Sequence, residues 1–153
     1  MGQYCSIVSA TSNGSGDTED TFLDITPAAS RTVKIVRIRV SCNTAADDSR
    51  IRVKVCRKSA QGTGSIAGII TKKDPGVDTS ANSTQKKDTT VAFTAGTIVD
   101  VVYDDNFNAR AVWEFVARSD ADMIRSGVAQ IIGVNLLVSA ASKVCHVLVE
   151  WEE

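Results

Sequence analysis

Two stretches of this chain alternate apolar and polar residues with a period of two. Between Thr32 and Cys42, the side chains of Val36, Ile38, Val40 and Cys42 fall on one face of an extended strand, and those of Val33, Ile35, Arg37 and Arg39 on the other. Between Arg50 and Lys58, Ile51, Val53 and Val55 face one way and Arg50, Arg52 and Lys54 the other. Successive side chains of a strand point to opposite faces, so both runs predict half-buried β-strands. The C-terminus repeats the pattern: Cys145, Val147, Val149 and Trp151 alternate with His146, Leu148, Glu150 and Glu152. The first set is expected to face the core, and Trp113 and Phe115 share the corresponding face of another strand. Both tryptophans are read as core anchors.

Further strands are predicted at regular spacing over residues 89–94, 98–103, 111–117, 130–138 and 143–151. They are separated by turn chemistry at 95–96, 104–108, 118–122 and 139–142. Prolines number two, and no long stretch has helical periodicity. Helix is confined to a turn within Asp120–Ser126. The fold class is therefore all-β, an antiparallel β-sandwich of about eight strands. Residues 1–31 read as an extended arm. It holds a short strand over 3–8, a flexible acidic loop over 12–20 and a brief edge segment over 22–25 before Pro27. The arm is expected to add little core and to reach a neighbour, leaving 32–153 as the sandwich domain. Residues 59–88 form the longest irregular segment, with a short strand or turn over 66–70. A loop of that length in a compact domain is usually a binding or mobile element.

A chain of 153 residues suits one domain, and its 43% hydrophobic content is ordinary. The net charge of −1 hides an asymmetry: nine Lys or Arg lie between Arg31 and Lys58 against Asp47 and Asp48. No aromatic residues are interleaved with these cations to stack bases, so nucleic acid is not an expected partner. Charge pairs between strands or subunits, or a solvated strand face, account for the pattern better. No run spans a membrane and no basic segment precedes an apolar one, so the chain is expected to be soluble and unexported. Cys5, Cys42, Cys56 and Cys145 have no zinc spacing and read as reduced thiols, although the sequence leaves a Cys42–Cys56 bridge open.

The chemistry of an enzyme is missing from the sequence. His146 is its single histidine, which excludes a cupin-like metal site and gives no support to Ser-His-Asp or Cys-His catalysis. Asp47-Asp48 and Asp104-Asp105 read as turn carboxylates, and Asp17, Glu19 and Asp20 lack the spaced ligand set of a calcium loop. The 61–64 segment Gln-Gly-Thr-Gly has no following Lys-Ser/Thr pair and is no phosphate loop. The myristoylation-like start Met-Gly-Gln-Tyr-Cys-Ser is a short pattern frequent by chance. No cofactor, metal or small-molecule substrate is expected.

From Val33 onward the order of features resembles small jelly-roll structural proteins of tailed bacteriophages. The resemblance is carried by Ala-Ala-Asp-Asp-Ser-Arg-Ile-Arg-Val-Lys-Val-Cys-Arg-Lys-Ser-Ala-Gln-Gly-Thr-Gly (45–64), Lys-Lys-Asp-Pro-Gly (72–76) and Thr-Ala-Gly-Thr-Ile-Val (94–99). Arg-Ala-Val-Trp-Glu-Phe-Val-Ala (110–117) and the terminal His-Val-Leu-Val-Glu-Trp-Glu-Glu (146–153) complete it. The acidic arm and the 120–127 segment depart from the common pattern. The resemblance implies a capsid decoration or cement protein on the virion exterior, assembling as a homotrimer and binding the major capsid protein. An alternative is a glycan- or receptor-binding module of a fibre or tail, with the 59–88 loop and Tyr103 or Phe107 as its contact residues. The arm and loop are then expected to clamp neighbouring subunits, with Tyr4, Phe22, Leu23, Ile66, Ile69, Ile70, Lys72 and Lys73 as contact residues.

A jelly roll places the Thr32–Cys42 and Arg50–Lys58 runs in opposite sheets, which their long connection, 43–49, permits. Val36, Ile38 and Val40 are expected to face Ile51, Val53 and Val55 across the core. The last strand should lie beside the Thr32–Cys42 run and bring Glu150 and Glu152 to the face carrying Arg37 and Arg39.

Overall fold

The computed structural model describes residues 2–12, 18–43, 48–63, 66–76, 81, 83–87, 93–138 and 143–153. Thirteen strands occur among them: β1 Gln3–Thr11, β2 Glu19–Thr26, β3 Lys34–Cys42, β4 Arg50–Ala60, β5 Ile66–Ala67, β6 Thr71–Lys72, β7 Thr84–Lys87, β8 Phe93–Thr94, β9 Thr97–Asn108, β10 Trp113–Val116, β11 Ile124–Arg125, β12 Ile131–Val138 and β13 Val144–Glu152. The helical content among these residues is one 3-10 turn, Asp120–Asp122.

The strands form two antiparallel sheets packed as a sandwich. One has the order β10-β3-β13-β1-β6, with β11 also on β3; the other has β5-β7-β2-β12-β4-β9, with β8 also on β2. Eight of the strands alone give two four-stranded orders, β10-β3-β13-β1 and β2-β12-β4-β9. Chain order alternates between the sheets except at β4 and β9, which are neighbours in one sheet, and the last strand sits between the first and third. That is the jelly-roll arrangement of two Greek keys. The remaining five strands are short additions, so the count of about eight describes the roll itself.

The two basic runs lie in opposite sheets, as expected, and β13 pairs with β3 so that Glu150 stands opposite Arg37. One detail differs. A register shift between Glu150 and Trp151 leaves Val36 without an opposite partner and puts Ile35 opposite Trp151. A bulge of this kind changes the phase of alternation. Ile35 and Val33 therefore join Ile38 and Val40 in the core, and Val36 is half-buried rather than inward-facing.

The segment read as an arm adding little core instead opens the roll. β1 lies between β13 and β6, and β2 between β12 and β7. Tyr4, Val8, Phe22, Leu23 and Ile25 are buried. Phe22 and Leu23 are buried in succession because β2 shifts register against Val134 and Asn135, which adds Phe22 as an extra residue. The 59–88 segment is likewise partly strand: β4 runs on to Ala60, β6 pairs with β1, and β5 pairs with β7 at the sheet edge. Of the strand expected over 89–94, only β8 falls within the described residues.

The 104–108 stretch, read as a turn, is the second half of β9. Its carboxylates are engaged across strands: Asp104 accepts two hydrogen bonds from Arg52, and Trp113 Nε1 donates to Asp105 at 3.0 Å. These fixed pairs favour extended backbone over an Asx turn, and the chain turns after Asn108 instead, where Ala111 N donates to Asn108 O at 2.8 Å. Before β9, Gly96 has φ of +72°, and a Cβ there would come within 2.4 Å of Ala60 O. A residue with a side chain fits neither the dihedral nor the space.

Candidate interaction surface

The face of β2, β12 and β4 turned away from the other sheet carries polar groups, but they are buried. Lys58 Nζ donates to Asp24 Oδ1 at 2.8 Å and to Thr21 Oγ1 at 2.7 Å, and both side chains of the ion pair are 0% exposed. Thr21 in turn bonds Asn135 Oδ1 at 2.9 Å, and Asn135 Nδ2 donates to Glu19 Oε1 at 2.7 Å. Gly133 leaves the room for this network, since a Cβ there would lie 2.3 Å from Lys58 Cε. Burial holds the Asp24 carboxyl above its usual range, against the opposing pull of Lys58. Lys58, counted among the basic strand residues, is thus an internal cation. Cys56, on the same face, has its thiol pushed up to about 12 by burial.

Further along, the basic residues of β3 and β4 are taken up in cross-strand pairs: Arg37–Glu114 at 2.6 Å, Arg52–Asp104 at 2.5 Å and Arg57–Asp100 at 2.6 Å. Arg52 donates through two nitrogens to the two oxygens of Asp104, which draws that carboxyl below its usual range. The charge asymmetry of the sequence is therefore an intramolecular ladder between β3 or β4 and the acidic strands beside them.

Two flanks of the sandwich remain for contact. At the β5/β6 flank a cleft of about 360 Å³ is lined by Tyr4, Ile70, Lys72, Ala81, Ser83 and Gln85, among others. Of the expected contact residues, Tyr4, Ile70 and Lys72 meet here, although Tyr4 is almost wholly buried as the cleft's floor. Ile69 is exposed beside them, its carbonyl accepting from Ser6 Oγ, while Lys73 lies outside the lining and pairs with Glu150 at 3.0 Å. Ile66 sits on β5 next to the cleft, opposite Lys87. Phe22 and Leu23 do not belong to any surface: both are fully buried in the core. As contact residues these two are corrected, because β2 is an interior strand.

Of the opposite flank, formed by β9 and β10, the sequence offered Tyr103 and Phe107 as contacts for the glycan- or receptor-binding alternative but not the exposed valines. β9 is the edge of its sheet and twelve residues long, and β10 is the edge of the other. Val99, Val101 and Tyr103 on β9 are 54%, 46% and 40% exposed, and Val116 on β10 is 50% exposed. Tyr103 packs against Phe115 with ring centroids 5.1 Å apart, across a shallow recess of about 610 Å³ also lined by Glu114, Arg118 and Asp122. The recess exists because β10 is only four residues long and leaves much of β9 uncovered. Val99, Val101 and Tyr103 are spaced in the sequence as one buried face would be, but register shifts of β9 against β4, between Val55 and Cys56 and between Arg57 and Lys58, interrupt that alternation.

Among the described residues no group of three or more His, Cys, Asp or Glu is placed to hold a metal ion, and no helix is long and apolar enough to cross a membrane. No family model matches the chain, and neither a curated protein nor a solved structure matches it significantly.

Proposed function

We propose that this chain is a structural protein of a virus particle, a capsid decoration or cement protein. It assembles as a homotrimer and binds the major capsid protein on the particle's exterior. The observation that carries the reading is the β9/β10 flank: a long edge strand whose outer side pairs with no described strand, with Val99, Val101 and Tyr103 exposed along it, beside the edge of the second sheet. An edge of this length and character is a ready template for association unless a partner covers it. A subunit that buries this flank against its neighbours removes the exposed valines from water and leaves the charged ladders of β3 and β4 in solvent. The resemblance of the sequence to phage jelly-roll proteins supports the setting, and the buried Lys58 network supports a rigid body suited to a lattice.

The reading is tested by mixing fluorescently labelled protein with purified heads that lack it and imaging the particles. Labelled protein saturating regular positions on the head is the expected result. Absence of uptake, together with a monomer at all concentrations, overturns it. The β5/β6 cleft favours a second reading, a glycan- or receptor-binding module, since Lys72 and Thr84, neither of them buried, line it beside the apolar Ile70. A glycan array with no hits removes that alternative.

A further inference from the structure

Cys42 and Cys145 stand directly opposite each other on β3 and β13. Asn43 N donates to Val144 O at 2.9 Å, just outside the pair. In an antiparallel ladder this marks the two cysteines as a non-hydrogen-bonded pair, whose Cα atoms lie about 4.5 Å apart with their side chains close. That spacing is within the range of about 4.4–6.8 Å that a disulfide requires. The two thiols are already within hydrogen-bonding reach. The other two cysteines are placed elsewhere: Cys5 pairs with Glu150 and Thr71, and Cys56 belongs to the opposite sheet. The register therefore also discounts a Cys42–Cys56 bridge.

The members of the pair differ in access. Cys145 is buried, and Cys42 is half-buried at the strand end. The hydrogen bond to Cys42 and burial both push the Cys145 thiol far up, opposed by the nearby Lys143 cation. Attack on an external reagent thus starts from Cys42, and Cys145 acts second, on a sulfur already beside it.

We infer that Cys42 and Cys145 form a modification site that closes to a cross-strand disulfide on meeting a low-molecular-weight disulfide such as oxidised glutathione. Cys42, having lost its proton to solvent, attacks one sulfur of the reagent; its S–S bond breaks and one thiol leaves. Cys145 then attacks the Cys42 sulfur of the mixed disulfide. The second thiol leaves with the Cys145 proton, so two protein thiols are oxidised and one disulfide is reduced to two thiols. The new bond ties β3 to β13 and closes a loop from residue 42 to residue 145. Closing a loop of that length restricts the unfolded chain far more than the folded one. A chain made in a reducing compartment would be locked after exposure to an oxidising one. This inference rests on register and burial, so it stands or falls independently of the assembly reading.

The test treats the native full-length chain with oxidised glutathione, then unfolds it in denaturant with iodoacetamide so that every remaining thiol is alkylated, and weighs the intact protein and its peptides. Two of the four thiols are expected to escape alkylation, in a linked peptide pair containing Cys42 and Cys145. Dithiothreitol should restore all four and lower the melting temperature back to that of the untreated protein. In Cys145→Ser, one glutathione should remain on Cys42; in Cys42→Ser, neither bridge nor glutathione should appear at Cys145. Four alkylated thiols after oxidation of the wild type, a lasting glutathione adduct on wild-type Cys42, or a bridge that persists in Cys42→Ser would overturn the proposal.

Discussion

The centre of the β2-β12-β4-β9 sheet and its β9 edge are built from similar alternating strands, yet they meet solvent in opposite ways. At the centre both faces are sealed. Leu23, Val134 and Val55 point into the sandwich, and Thr21, Asp24, Asn135 and Lys58 on the reverse side are buried as well. At the edge, Val99, Val101 and Tyr103 are left in water. The centre tolerates charge because each charge has a partner at hydrogen-bonding distance, whereas the edge exposes apolar area that no described residue covers. The difference separates two tasks: the centre sets the stability of the fold, and the edge, in the proposed assembly, supplies the contact between subunits.

Substitution at the centre should have the largest effect. Lys58→Met strands Asp24 and Thr21 in a buried site and is expected to cost about 3–5 kcal/mol in urea unfolding. Adding Asp24→Leu to it should recover most of that loss, because an apolar pair of similar volume removes the stranded charge. A double variant as unstable as the single one would show that packing around the site matters more than its charge.

The edge should respond in the other way. Val101→Asp puts a charge into the exposed row without touching the core, and is expected to weaken self-association by at least about tenfold while leaving the unfolding midpoint of the dilute protein unchanged. A fall in the midpoint would mean that the edge contributes to the fold itself.

The pH dependence should separate buried from surface pairs by sign. Asp24 has a raised folded value, so its contribution to stability is fully present below the unfolded value of about 3.9 and is lost as pH rises through the folded one. Asp104 is lowered by Arg52, so its contribution is present above the unfolded value and is lost as pH falls through the folded one. Urea titrations from about pH 3 to about pH 8 should show the stability of wild type relative to Asp24→Asn declining as pH rises. The same comparison with Asp104→Asn should show wild type losing ground only at the acid end. Identical slopes for both variants would contradict the contrast. The smallest effect is expected at the surface alone: Arg52→Ala removes the exposed partner of Asp104, so it should lower the unfolding midpoint only slightly at neutral pH and should abolish the acid-end loss seen against Asp104→Asn.

How much of this was legible in the sequence depended on whether alternation was clean. The β3, β4 and β13 runs carry branched aliphatic residues on one face and charges on the other, so their strand character could be read directly, whereas the placement of β3 and β4 in opposite sheets followed from the jelly-roll resemblance. β1 was obscured because its buried face includes Ser6 and Ala10 while Ile7 points outward. β2 was obscured because both of its faces are buried and Phe22 interrupts its alternation. The bulge at Val36 arises from pairing with β13 and has no local signal. Asp104 and Asp105 looked like turn chemistry because their partners, Arg52 and Trp113, are distant or on another strand. Of the candidate contact residues, the cleft group was partly assembled from sequence, and of the β9/β10 flank only Tyr103 and Phe107 were, since the exposure of its valines follows from the shortness of β10.

The most direct test of the account is sedimentation equilibrium of the wild-type chain and of Val101→Asp over a wide concentration range. The expected result is a reversible oligomer for the wild type and a folded monomer for the variant under the same conditions. A wild type that stays monomeric throughout, or a variant that associates as strongly as the wild type, would contradict the claim that the β9/β10 flank is the assembly surface.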